Sequence, residues 1–159
     1  MPIPQFVLDV RRKLGNDLML LPGVAAVVFN DAGEVLLARR ADTRRWAVIG
    51  GIVEPGEDPA DCCVREVLEE TGVHCVVDRL IGVYRTPTIT YSNGNVAQYI
   101  VTGFACRATA GTPRVADDES LEVGYFRLDA LPADLSPEHR QRVEHGAATG
   151  GRAFFRGGT

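Results

Sequence analysis

The chain has 159 residues, 45% of them hydrophobic and 24% charged, enough apolar material for one core and too short for two full-sized domains. A formal net charge of −4 gives no basic field for wrapping a nucleic acid polymer, so a polyanionic substrate would need positive charge supplied locally or by a cation. No apolar run reaches the roughly 18 residues of a membrane span and the start lacks a signal-type apolar segment, so a cytoplasmic protein is expected.

Residues 5–14 predict a short helix, with Phe6, Val10 and Leu14 at helical spacing and Gly15-Asn16 as its stop. Residues 24–29 and 35–38 are apolar runs about the turn Asn30-Asp31-Ala32-Gly33, the pattern of a β-hairpin. Residues 46–49 form a short strand closed by Gly50-Gly51, and Glu54-Pro55-Gly56-Glu57 carries tight-turn residues. Asp58 before Pro59 is placed to N-cap a helix that Gly72 ends. Residues 75–84 and 96–105 predict two strands, separated by a loop that holds Pro87 and the turn pair Asn93-Gly94. A further strand at 124–128 follows the acidic loop 117–122, and Ser136-Pro137 opens a helix that fades by Gly146. This divides the chain into a lead-in with a helix (1–20), a main domain (21–146) and a flexible tail (147–159). The four cysteines, Cys62, Cys63, Cys75 and Cys106, include no CxxC pair and lack histidine partners at zinc spacing, and are expected to be reduced and structural.

The best-defined helix, at 58–71, carries the chemistry. At about 100° per residue, Glu66, Glu69 and Glu70 share one face, with Ala60, Val64, Val67, Leu68 and Thr71 expected on the opposite, buried side. Three like charges at that spacing repel one another, and a hard divalent ion with oxygen ligands relieves the repulsion. Arg65, next to Glu66, is suited to orient a carboxylate through paired hydrogen bonds.

Gly51, five residues, Glu57, seven residues, Arg65-Glu66-Val67, one residue, Glu69-Glu70, one residue and Gly72-Val73 make a complete match to the box of the Nudix hydrolase family. A motif of nine specified positions at fixed spacing is far more specific than a lone glycine pattern. The resemblance extends over residues 21–132. It implies an α/β/α sandwich with a mixed central sheet, and Mg²⁺, with Mn²⁺ as a substitute. By this resemblance Glu69 and Glu70 are the principal metal ligands, with Glu66 beside them, Glu57 as an auxiliary and a carbonyl of Gly50 or Gly51 completing the shell. Arg65 is then an orienting residue. The family has proline before its double glycine and this chain has Ile49, which relaxes a backbone restraint without removing a functional group.

Outside the box, the run Asp117-Asp118-Glu119 is the source expected for a general base or extra ligand, with Glu119 the choice. Arg39, Arg40, Arg44 and Arg45 precede the box, and Arg39 and Arg40 are candidates for pairing with phosphates. Trp46 and Tyr91 are candidates for stacking on a base. His74, His139 and His145 are scattered, without a metal-ligand companion at helical spacing. Three functions compete: a nucleoside diphosphate derivative hydrolase (ADP-ribose or a nucleotide sugar, as a homodimer), a nucleoside triphosphate pyrophosphohydrolase of the 8-oxo-dGTP type, and a non-catalytic nucleotide-binding module. The long loop 87–96 and the N-terminal helix favour the first.

Overall fold

In the computed structural model, which describes residues 3–157, strand β1 (Met19–Phe29) organises the rest. Its side chains divide by parity. Val24, Ala26 and Val28 enter a core shared with Cys62, Cys63 and Val67 of α2 (Pro59–Thr71). Ala25 and Val27 enter a second core shared with Val143 of α3 (Pro137–Ala147) and Leu135 just before it. A strand covered on both faces needs no polar side, which is why this run reads as continuously apolar.

β1 pairs in parallel with β7 (Val96–Ala110) from Met19 to Phe29, β7 pairs antiparallel with β5 (His74–Arg85), and β5 pairs in parallel with β9 (Phe154–Phe155). On its other edge β1 takes β4 (Ile49–Ile52) antiparallel, with Val24 opposite Gly51 and Ala25 opposite Gly50. β2 (Val35–Arg40) pairs with β3 (Trp46–Ala47) and β8 (Ser120–Phe126), and β6 (Ile89–Thr90) pairs with β7. The result is the expected mixed sheet between helices. Among the described residues no helix is long and apolar enough to cross a membrane.

α1 (Gln5–Leu14) spans the predicted residues. Its Val7, Phe6 and Leu14 pack on Met19, Leu21 and Ala97, and the Arg11 guanidinium donates to the carbonyls of Asp17 (2.6 Å) and Val96.

One local expectation is met at its turn only, and three are corrected. The β1–β2 hairpin exists at its turn, where Phe29 faces Val35. Beyond the turn the strands part, because β1 finds β4 and β7 while β2 finds β3 and β8. The strand expected at 46–49 is two strands interrupted at Val48, whose N–H turns to the His139 ring. β8 begins at Ser120 inside the expected acidic loop, since its partner β2 extends to Arg40. Within the expected flexible tail, β9 docks on β5 because Phe154 stacks on Tyr84, with ring centroids 5.4 Å apart.

Candidate active site

Glu66 and Glu70 are 2% and 9% exposed, whereas the Glu69 side chain is 46% exposed. The expectation of three acids on an open face opposite an apolar stripe is therefore corrected. The buried side of α2 runs through Cys62, Cys63, Val67 and Thr71 and takes Glu66 and Glu70 with it, while Leu68 is exposed.

The double glycine makes room for this. A Cβ on Gly51 would lie 1.9 Å from Glu66 Oε1, so the carboxylate occupies the space a side chain would fill. A Cβ on Gly50 would lie 2.6 Å from the Val24 carbonyl oxygen, so that glycine serves the β1–β4 pairing instead. Asp58 occupies the N-cap position of α2, but its side chain makes no capping hydrogen bond; Pro59 opens the helix.

Arg65 ties the acids together. Its Nε and one terminal nitrogen donate to the two oxygens of Glu57 at 2.7 and 2.9 Å, a bidentate pair. The other terminal nitrogen donates to Glu66 Oε1 at 3.0 Å and Glu69 Oε2 at 3.2 Å. Hydrogen bonds from Arg65 hold the Glu57 carboxyl down at about 2. Burial pushes Glu66 up to about 7 against the pull of Arg65. Burial, reinforced by the charges of Glu66, Asp117 and Glu119, pushes Glu70 up to about 8.

The acidic loop reaches this site through backbone bonds. The N–H of Arg114 donates to the Thr71 carbonyl at 3.0 Å and that of Ala116 to the Glu70 carbonyl at 3.2 Å, satisfying carbonyls at the end of α2. The Glu119 N–H donates to Asp117 Oδ1, and the Glu119 carbonyl accepts from the Ala41 N–H at 2.7 Å. Asp117, which the sequence offers only as part of an acidic run, thus joins Glu119 in acting on Glu70. Only the docking of residues 114–116 on α2 distinguishes it from its neighbours.

Among the described residues no three Asp, Glu, His or Cys side chains are already drawn up as a metal cage. Mg²⁺ asks for less: it takes one or two carboxylates and fills its octahedron with water and substrate oxygens. The donors present are all hard carboxylate oxygens, and a cation would restore the charged form that burial disfavours at Glu66 and Glu70, so the residues fit such an ion.

The residues proposed for substrate lie apart from this cluster or are engaged. Arg39 donates to Glu122 at 2.7 Å and to the Arg44 carbonyl. Arg40 forms a bidentate pair with Asp42 and acts electrostatically on Glu70 and Glu119. Trp46 is half-buried and packs edge-on against Phe126 at 4.6 Å. Tyr91 is exposed, its hydroxyl 2.8 Å from that of Tyr99. All four cysteines are free and buried; the Cys62 thiol donates to the Ile52 carbonyl, and burial pushes it up to about 12, which makes it inert. A cleft of about 1270 Å³ runs between Pro4, Gln5 and Leu8 of the α1 region and Glu57, Arg65 and Glu69.

The NUDIX domain model matches residues 19–145. The chain belongs to the Nudix hydrolases. This Nudix chain is 41% identical over 125 residues to a "Putative 8-oxo-dGTP diphosphatase" of Bacillus subtilis, covering 79% of this chain and 78% of that protein. It is 33% identical over 131 residues to an "ADP-ribose pyrophosphatase" of Methanocaldococcus jannaschii, covering 80% and 74%. The crystal structure of a MutT NUDIX hydrolase from Burkholderia pseudomallei superposes with a TM-score of 0.62 at 29% identity, over 80% of this chain and 98% of that one. As a Nudix enzyme it hydrolyses acid anhydrides of phosphorus, and enzymes of this family use divalent metal ions.

Proposed function

We propose that the protein is a Mg²⁺-dependent pyrophosphohydrolase of a cytoplasmic nucleotide, with α2 as its metal-binding helix. The carrying observation is the pair of buried carboxylates, Glu66 and Glu70, with Arg65 bridging Glu66 to the exposed Glu69. In this reading Glu69 and Glu70 are the principal ligands, Glu66 and Glu57 assist, and the Gly51 carbonyl is a further oxygen donor. The ion, when bound, neutralises charge on the diphosphate oxygens and acidifies an attacking water. Arg65 fixes the carboxylates in their rotamers, and Gly51 leaves Glu66 its place. Glu119, in electrostatic reach of Glu70, accepts the proton of the attacking water.

For the substrate, we favour a nucleoside diphosphate derivative of the ADP-ribose type. The cleft that α1 shares with Glu57, Arg65 and Glu69 supports a pocket shaped by the N-terminal segment. A second reading, an 8-oxo-dGTP type triphosphate substrate, is favoured by the 41% identical Bacillus relative. A screen with Mg²⁺ or Mn²⁺ against ADP-ribose, nucleotide sugars and canonical and oxidised triphosphates separates them. AMP with ribose phosphate marks the first, a nucleoside monophosphate with pyrophosphate the second. E70Q should lower turnover at least about a hundredfold while the protein stays folded; retained turnover overturns the metal-helix assignment. Binding of nucleotide without cleavage by the wild type would mark a non-catalytic module. The exposed Leu8, Val10, Leu18 and Leu20 around α1 support a homodimer, which light scattering would test by finding twice the chain mass or only one.

A further inference from the structure

The cleft between α1 and α2 has two unlike walls. On one side stand the acids Glu54, Glu57, Asp61, Glu69 and Asp117, and Arg65 is the one cation among the described residues that line it. Arg65 donates to Glu57, Glu66 and Glu69. Phosphates that enter here are therefore held through a bound cation, and this wall repels any other negatively charged part of a substrate.

The other wall comes from the start of the chain, with Ile3, Pro4, Gln5 and Leu8. Ile3 is 53% and Leu8 40% exposed. A single exposed apolar side chain on a surface helix is ordinary. Two that line the same cleft as the metal-binding acids make an apolar surface beside polar groups, the composition of a ligand pocket. The wall is also fixed in place. Val7, Phe6 and Leu14 pack α1 on Met19, Leu21 and Ala97, and Arg11 donates to the carbonyls of Gly15, Asp17 and Val96. Gln5 and Leu8, three residues apart, are neighbours on one face of the helix. Gln5 Nε2 donates to Asp9 Oδ1 at 2.7 Å. A carboxylate only accepts, so the amide nitrogen is turned to Asp9 and Oε1 remains as an acceptor.

We propose that this α1 wall binds the nucleoside half of the substrate, the base lying on Leu8 with Ile3 at its edge and Gln5 Oε1 accepting from an N–H of the base. The diphosphate then reaches the acids of α2 across the same cleft. Leu8 and Gln5 set affinity and base preference without touching the reacting atoms. Gln5 favours a base that presents an N–H, as adenine and guanine do, over one that has none. This deepens the nucleotide hydrolase reading and rests on it.

The test uses the full chain as wild type, L8S, Q5A and V10S. Val10 is an equally exposed apolar residue of α1 outside the cleft lining. Steady-state kinetics are measured on the nucleotide that the wild type cleaves, and light scattering gives the mass of each variant. Thermal shifts are measured without metal, using adenosine, guanosine and purine riboside, whose base has no N–H. Uncharged nucleosides need no cation, so their shifts read the α1 wall by itself. L8S should raise KM at least about fivefold with kcat within about twofold, the mark of lost uniform binding. It should also lose the nucleoside shifts. Q5A should reduce the adenosine or guanosine shift to that of purine riboside, and V10S should match the wild type throughout. A Q5A shift equal to that of the wild type overturns the assignment of Gln5. The wall itself is overturned if neither adenosine nor guanosine shifts the wild type, or if L8S keeps the wild-type KM and shifts. It is equally overturned if L8S changes the mass or V10S raises KM as much, since Leu8 would then serve subunit contact or the helix in general. Should the wild type bind a nucleoside through Leu8 and yet cleave no nucleotide, the hydrolase reading fails and the binding wall stands.

Discussion

Glu66 and Gly51 share a volume that holds one side chain. Since an added Cβ at Gly51 would meet the Glu66 carboxylate at 1.9 Å, G51A must push the acid out of its place or open β4 from β1. We predict a loss of about 1 to 3 kcal/mol of stability from overpacking, with a larger relative loss of turnover because the displaced group belongs to the acid cluster. Chemical denaturation and kinetics on one preparation check this; full activity would detach Glu66 from the chemistry. His139 gives a pH dependence. Burial first, then the cations Arg142 and Arg40, lower its affinity for a proton to about 3 in the folded protein, against an ordinary 6.5. Between those values the unfolded chain binds more protons, so stability rises with pH there and is lost as pH falls from about 6.5 toward 3. H139Q retains an acceptor for the Val48 N–H and cannot be charged, and should flatten that part of the curve. Denaturation midpoints from pH 7 down to pH 4 would show it, and an unchanged slope would remove His139 from the acid response.

At the scale of elements, the end of α2 and the loop after β7 are one device. Gly111 has φ +91°, and a Cβ there would lie 2.4 Å from the Gly72 carbonyl oxygen. G111A should therefore lift the segment that donates to Thr71 and Glu70, and with it Asp117 and Glu119. We predict a fall in kcat well beyond what the change in melting temperature accounts for; a proportional loss of both would mean the loop serves stability alone. The sequence shows the helix because caps, spacing and motif all lie within residues 58–72, and it shows α1 and α3 for the same local reason. It does not show that Glu66 is buried, since that depends on Gly51 coming beneath it from another strand. Nor does it show which acid of 117–119 approaches Glu70, which follows from two backbone hydrogen bonds across more than forty residues. The β1–β2 hairpin was legible at its turn, but not how far its pairing runs. A turn signal fixes the turn, and each strand's partners beyond it are chosen by the whole sheet.

At the scale of the molecule, β1 separates two cores, one packed by α2 and one packed against α3, so what secures α3 secures the second core. Two features secure it. Gly146 lets the helix approach until an added Cβ would stand 2.7 Å from Val27, and Arg79 donates to the carbonyls of His145 and Gly146 at 3.0 Å. β9 adds a third, with Phe154 stacked on Tyr84 and close to His145, whose Nδ1 lies 2.8 Å from the Tyr84 hydroxyl. Tyr84 is also the ring under Arg142. Truncation after Gly151 removes a half-buried aromatic and two parallel pairs with β5. It should cost about 1 to 2 kcal/mol, roughly 2 to 8 °C in melting temperature for a chain of this size. It should also loosen Tyr84 beneath the Arg142 guanidinium, a packing effect that should leave KM within about twofold. If the truncated protein melts where the full chain does, β9 adds nothing to the core, and the support beneath the Arg142 guanidinium comes from α3 and β5.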